Sequence, residues 1–112
     1  MSDCIFCKIA NGEIPSEFLY EDDRVVAFRD LNPMAPTHVL VVPKAHHDNV
    51  IDGVPAETPA SMVAAVDAVA KATGTDKTGF RVVMNTGADA GQAVGHLHMH
   101  VLGGKRLGDD FA

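Results

Sequence analysis

The segment His96-Leu97-His98-Met99-His100-Val101-Leu102 alternates imidazole with apolar side chains without a break. An extended strand sorts such a pattern onto two faces, because successive side chains point to opposite sides. His96, His98 and His100 then share one face, and Leu97, Met99 and Val101 share the other. Same-face neighbours on a strand stand about 7 Å apart. Three imidazoles in that row therefore address successive parts of one ligand rather than crowd a single atom. The chain has six histidines, and the other three, His38, His46 and His47, fall in a second short window.

The rest of the chain reads as a small α+β unit. Residues 3–10 predict a short N-terminal helix capped by Asp3 and ended by Asn11-Gly12. Residues 17–21 predict a strand, Asp22-Asp23 a turn, and Val25–Arg29 a second strand, which together make a hairpin. Thr37–Val42 is a β-branched run closed by Pro43 and predicts a buried strand. One long helix is expected over residues 59–73, with Thr58 as N-cap, Pro59 in the first turn and Gly74 as the stop. Met62, Val63, Val66, Val69 and Ala70 form its core-facing stripe. Phe80–Asn85 predicts another strand, and His96–Leu102 the last. Residues 86–95 carry Gly87, Gly91 and Gly95 without apolar periodicity and read as a loop. The expected fold is an antiparallel sheet of about five strands with one main helix, in a single domain spanning residues 1–112. An exposed edge of so small a sheet is a natural surface for a homodimer.

Composition narrows the function classes. The formal net charge is −6, which disfavours nucleic acid and anionic membrane surfaces as partners. Apolar residues make up 46% of the chain and charged residues 21%, a globular balance. No apolar run approaches the length of about 18 residues that spans a bilayer. The start lacks a basic region followed by an apolar stretch, so a cytoplasmic protein is expected. The 2 cysteines lie too close together for a disulfide framework.

Two chemistries suit the histidine strand. Alternating imidazoles can chelate a transition metal, here as a centre of His96, His98 and His100. A neutral imidazole can also attack phosphorus while a second donates a hydrogen bond to the phosphoryl oxygens. The preceding loop, Asn85 to Gly95, matches neither a P-loop nor a G-x-G-x-x-G fingerprint. Its glycines, Gly91 among them, still let backbone amides approach an anion closely.

The stretch Gly91-Gln92-Ala93-Val94-Gly95-His96-Leu97-His98-Met99-His100-Val101-Leu102 resembles the signature of the histidine triad (HIT) nucleotide hydrolases and transferases. The likeness extends to Cys4-Ile5-Phe6-Cys7-Lys8-Ile9, Ala27-Phe28-Arg29-Asp30 and Pro36-Thr37-His38-Val39-Leu40-Val41-Val42-Pro43-Lys44. Val101-Leu102-Gly103-Gly104-Lys105 is closest to the nucleotide-binding, Hint-like branch. The resemblance implies hydrolysis at the α-phosphate of a purine nucleoside phosphoramidate, with AMP or an adenosine phosphoramidate as ligand. It makes His98 the nucleophile of a nucleotidyl-histidine intermediate, with His100 and His38 at the phosphate. Asn85 and the backbone around Gly91 and Ala93 would hold phosphate oxygens. Asp30 would accept the ribose hydroxyls, and Leu31, Phe6 and Phe28 would flank the base. Two alternatives stay open: a dinucleoside polyphosphate hydrolase, and a nucleotide-binding regulatory module with weak activity. Many relatives carry Ser where this chain has Ala93, and the C-terminal Trp that some relatives use near the leaving group has no counterpart in the acidic tail, residues 107–112.

Cys4-x-x-Cys7 admits a redox pair, two buried thiols, or half of a structural zinc site. Relatives with the same C-x-x-C use a Cys₂His₂ zinc, which matches Cys4, Cys7, His46 and His96. Four protein ligands make such a site structural. His47 could stand in for His46, and the resemblance favours His46.

Overall fold

The computed structural model describes residues 3–110. Helix α1 spans Ile5–Ala10, and strands β1, β2 and β3 span Phe18–Glu21, Val25–Arg29 and Thr37–Pro43. Helix α2 covers Glu57–Thr73, followed by β4 at Phe80–Val83 and β5 at Met99–Gly103. The five strands form one antiparallel sheet in the order β1-β2-β3-β5-β4. β3 is buried at every position, as its β-branched run predicts, and sits at the centre.

The pleat divides the sheet into two packed faces. Val25, Ala27, Val39, Val41, Leu97, Met99 and Val101 lie against Met62, Ala65, Val66 and Val69 of α2. Val26, Phe28, Leu40 and Val42 point the other way, onto Phe6, Ile9 and Ala10 of α1. A helix of 6 residues has no independent stability. Burial of Phe6 and Ile9, worth roughly 1.5–3 kcal/mol each, holds α1 on the sheet. That second face is where the histidines lie.

Several boundaries differ from expectation, each for a local reason. Asp3 is exposed and does not cap α1; the Cys4 side chain accepts from the Cys7 amide at 3.4 Å and takes that place. Asn11 ends the helix as expected. Helix α2 starts two residues early, with Ala56 rather than Thr58 at the N-cap. The Thr58 amide already donates to the Pro55 carbonyl, and its side chain is buried in packing rather than turned back to cap. Gly74 adopts φ +81° and stops the helix in the left-handed conformation that glycine favours. In the stripe of α2, Val63 is 61% exposed, and Ala65 occupies the core in its place. β4 ends at Val83, short of Asn85, and the following loop contains a single 3₁₀ turn at Ala88–Ala90.

The largest departure concerns the histidine strand itself. The ladder between β3 and β5 starts at the Val41–Met99 pair, so His96, Leu97 and His98 lie before the strand. Pro43 ends β3 and has no amide proton to continue the ladder. The Leu97 amide donates instead to the His47 carbonyl at 2.7 Å. Side-chain alternation survives through Leu97, Met99 and Val101, which stay in the core under α2. No helix among the described residues is long and apolar enough to cross a membrane.

Candidate active site and metal centre

Strand register brings His38 and His100 together. Leu40 pairs with His100 and His38 with Leu102, so His38 and His100 are diagonal neighbours on the α1 face. Their rings touch through His38 Nε2 and His100 Nδ1, 2.9 Å apart. His98 follows on the same side, with ring centroids 4.9 Å from those of His100. The edge of Phe6 stands against His98 at 5.0 Å, so α1 restricts the ring.

Hydrogen-bond partners assign the tautomers. His98 Nδ1 lies 2.7 Å from the His96 carbonyl, which can only accept. Nδ1 therefore carries the proton, and Nε2 keeps its lone pair. His38 is held the opposite way. The Met34 amide donates to His38 Nδ1 at 3.0 Å, so the proton of His38 sits on Nε2. That N–H donates to His100 Nδ1, which leaves the His100 proton on its own Nε2. Asp30 Oδ2 lies 3.5 Å from the same His38 Nε2. Burial, together with the neighbouring His98 and His38, lowers His100 to about 4. His100 is thus a neutral donor near pH 7.

A cavity of about 450 Å³ lies next to the histidines through shared neighbours, Phe6, Asp30 and Leu40, with no histidine in its lining. Phe6, Ile9, Phe28 and Leu40 give it apolar walls, and Asp30, Leu31, Ala93 and Val94 stand along it. The volume falls in the usual range for a small-molecule site. Of the residues expected around a nucleotide, Asp30, Leu31, Phe6, Phe28 and Ala93 line this cavity. Leu31 is 92% exposed and could cover a base only from the rim. Asn85 and Gly91 are not part of the lining; Asn85 is half-buried beyond β4. Sequence reasoning missed Ile9, Ile14, Leu40 and Val94, which line the cavity as well. The even-numbered apolar positions of β3 were the available signal for Leu40.

His96 engages different partners from the other two histidines. Its ring is fully buried, with Nδ1 3.3 Å from Cys4 Sγ and 3.4 Å from Cys7 Sγ. The ring stays on the α1 face with His98, where the Phe6 edge meets both, as the alternation predicts; the ligand group that His96 joins is that of the two cysteines and His46, and not a three-histidine centre. His46 Nδ1 completes the group at 3.2 Å from Cys7 Sγ. The four ligand atoms of Cys4, Cys7, His46 and His96 lie within 4.8 Å of one another. His47 does not join them; its Nδ1–H donates to the Asp52 carbonyl.

Two thiols and two imidazoles at these separations fit a tetrahedral ion of the zinc type, whose N···S edges are about 3.5 Å. The tautomers agree. His96 Nε2–H donates to the Pro43 carbonyl at 2.8 Å, and His46 Nε2–H to Asp48 Oδ1 at 2.9 Å. Both rings therefore present an unprotonated Nδ1 to the sulfurs, with the outer acceptors that metal-bound histidines require. Asp30, His38 and His100 also converge within 4.8 Å. There the Met34 amide forces a proton onto His38 Nε2, so the same test reads that group as a hydrogen-bond relay.

The chain is also similar to known proteins along nearly its whole length. The HIT domain family model matches residues 11–107. The chain is 45% identical to a purine nucleoside phosphoramidase from Escherichia coli over 107 residues, covering 93% of this chain and 89% of that one. A histidine triad protein structure from Clostridium difficile superposes with a TM-score of 0.91 at 55% identity, covering 98% of this chain and 97% of that one. A HIT family hydrolase from Clostridium thermocellum gives a TM-score of 0.92 at 43% identity, with coverage of 100% and 99%. With that match and relatives this near in sequence and fold, the chain belongs to the HIT domain family and is a hydrolase.

Proposed function

We propose that this hydrolase cleaves purine nucleoside phosphoramidates at the α-phosphorus through a nucleotidyl-histidine intermediate. The observation that carries the proposal is the His98 tautomer: Nδ1–H is engaged by the His96 carbonyl, and Nε2 holds the lone pair. Nε2 attacks phosphorus, the bond from phosphorus to the amine nitrogen breaks, and the amine leaves with a proton taken from solvent. Water then attacks the same phosphorus, gives up a proton to solvent and breaks the bond to Nε2. The nucleoside monophosphate departs, and His98 returns to its starting tautomer.

The other roles are proposed from the family resemblance, with the cavity lining in support for part of them. His100 donates Nε2–H to a phosphoryl oxygen, and His38 maintains that orientation from behind. Backbone amides around Gly91 and Ala93, with Asn85, supply further donors to phosphate oxygens. Asp30 accepts the ribose hydroxyls, and Phe6, Phe28 and Leu31 take the purine. The phosphoramidase relative from Escherichia coli supports this substrate class.

Zinc is the ion proposed for Cys4, Cys7, His46 and His96. When bound it would supply a structural cross-link between α1 and the segment leading into β5. Thiolate ligands accord with a reducing, cytoplasmic location. A homodimer is proposed through the open edge at β4. Phe80 and Val82 are 40% and 42% exposed there, on the same side of the sheet as exposed Val63 of α2.

Incubation with a slowly hydrolysed adenosine phosphoramidate, acid quench and peptide mass spectrometry tests the chemistry. An AMP adduct on the peptide at His98 is expected. Turnover with no adduct there, or an adduct on another residue, overturns the mechanism.

A further inference from the structure

The metal group and the loop that borders the nucleotide cavity are joined by one side chain. Gln92 Nε2 donates to the Asp48 carbonyl at 2.7 Å and to the Val94 carbonyl at 3.1 Å. Its Oε1 accepts from the Gly87 amide at 2.9 Å, and its own amide donates to the Gly87 carbonyl at 3.1 Å. Gln92 thus closes the loop on itself and ties it to Asp48. Asp48 in turn accepts from His46 Nε2–H, while its amide donates to Asp52 Oδ2. His46 is one of the four converging metal ligands, and Ala93 and Val94, beside Gln92, line the cavity.

A glutamine this fully engaged explains a conflict between sequence and geometry. The loop carries three glycines between residues 86 and 95, and most of it is exposed. Such a backbone loses much conformational entropy when ordered, roughly 1–2 kcal/mol per residue. The cross-links that oppose this cost run from Gln92 toward the segment of residues 46–52. That segment is anchored at His46, and also by the His47 carbonyl to Leu97.

We propose that metal occupancy sets the order of the nucleotide-binding loop through Asp48 and Gln92, with Gln92 acting as a positioning residue. A metal ion fixes the His46 ring, the ring fixes Asp48, and Asp48 gives Gln92 a rigid acceptor. Nucleotide binding at Ala93 and Val94 then meets an ordered loop instead of ordering it. By linkage the effect is reciprocal: nucleotide binding tightens the metal by the same factor. The nucleotide half of this inference rests on the proposed function; the ordering of the loop by metal does not.

The test uses the folded, zinc-loaded protein throughout. Zinc affinity is measured by competition with a colorimetric chelator, with and without saturating AMP, for the wild type, Gln92→Ala and Gln92→Glu. Gln92→Glu retains the acceptor for the Gly87 amide and loses the donors to the Asp48 and Val94 carbonyls, so it cuts the tie to Asp48 while the closure at Gly87 remains. In the wild type AMP is expected to tighten zinc about tenfold, within the usual range of coupling between sites. Both variants are expected to show less than a twofold effect. An unchanged tenfold effect in both variants overturns the role of Gln92. No effect in a wild type that binds AMP overturns the coupling.

Hydrogen exchange of residues 86–95 in the absence of nucleotide supplies the second arm. Faster exchange is expected in zinc-loaded Gln92→Ala, and in the wild type during partial metal withdrawal. Unchanged exchange in both overturns the proposal whatever AMP does. If AMP fails to bind while the exchange difference persists, the functional assignment falls and the loop coupling stands.

Discussion

His98 Nδ1 donates to the carbonyl of His96 at 2.7 Å, so a metal-group residue orients the candidate nucleophile two positions later. The side chain of His96 faces the cysteines while its backbone oxygen faces His98. One residue therefore serves both centres, although its imidazole belongs to only one of them.

His98→Asn removes the lone pair while retaining a polar side chain of moderate size. Turnover of an adenosine phosphoramidate is expected to fall by at least about a thousandfold, as for other nucleophile deletions. AMP binding, measured by calorimetry, should change by less than about threefold. Residual turnover within tenfold of the wild type would remove His98 from the nucleophilic role.

Loss of the metal group should weaken the fold without touching substrate groups. Cys7→Ser replaces a buried sulfur ligand, and metal analysis is expected to give well under one zinc per chain. A drop in Tm on the order of 10 °C should accompany it, corresponding to about 2 kcal/mol for a domain of this size. Asp48→Ala is milder, since only the acceptor behind His46 is lost. A reduction in zinc affinity of about tenfold or more is expected from it in chelator competition.

Acid should destabilise the protein in a specific window. Burial, with His98 and His38 nearby, lowers His100 to about 4, against 6.5 in the unfolded chain; Asp30 opposes the shift. Between those values the unfolded chain takes up a proton that native His100 refuses. Its contribution is therefore complete above about pH 6.5 and is lost as the pH falls toward 4. Allowing for solvent screening, about 1–2 kcal/mol is expected. Urea unfolding at pH 7.5 and 5 should show the loss, and His100→Gln should reduce it. An equal loss in both proteins would assign the pH dependence to other groups.

Gly104 closes the turn after β5 at φ +88°, and a Cβ there would lie 2.9 Å from Pro36 Cβ and 3.3 Å from the Thr37 nitrogen. Gly104→Ala combines backbone strain with a contact that backbone cannot easily relieve. Destabilisation of roughly 1–3 kcal/mol is expected, read from the urea midpoint at unchanged m-value. Destabilisation below about 0.5 kcal/mol would mean that the turn yields.

Ala93 lines the cavity and has no side-chain donor. Ala93→Ser adds a hydroxyl where many related proteins carry one. For a phosphoramidate with a basic amine leaving group, kcat/KM is expected to rise about tenfold, equivalent to about 1.4 kcal/mol. Steady-state kinetics across leaving groups of graded basicity checks this; a uniform change across the series would point to binding instead.

Local pattern made much of the fold legible. β2 spans Val25–Arg29 as expected, and Pro43 closes β3 because proline cannot extend the ladder. The two faces of the sheet follow from the pleat. Helix starts were less legible, since both depend on competition for a few hydrogen bonds. At α1 a cysteine sulfur replaces Asp3, and at α2 the Pro55 carbonyl engages the Thr58 amide first. Val63 and Ala65 exchanged places because one stripe on a helix covers a wider arc than the contact surface beneath it.

Of the site, the sequence alone determined the residue types and their alternation: three imidazoles, a C-x-x-C pair, a carboxylate before a turn, and a glycine loop. Alternation also predicted one shared face for the three histidines, where Phe6 meets both His96 and His98, and only the tertiary structure decided which partners each ring engages. β3 stops at Pro43, so the ladder releases His96 to the sulfurs carried by α1, while the diagonal register holds His100 beside His38. Proton positions came last. They depend on whether a carbonyl or an amide faces each ring; for His96 that partner, the Pro43 carbonyl, lies 53 residues away in the chain. Hydrogen bonds at such separations are properties of the packed structure, which no local pattern encodes.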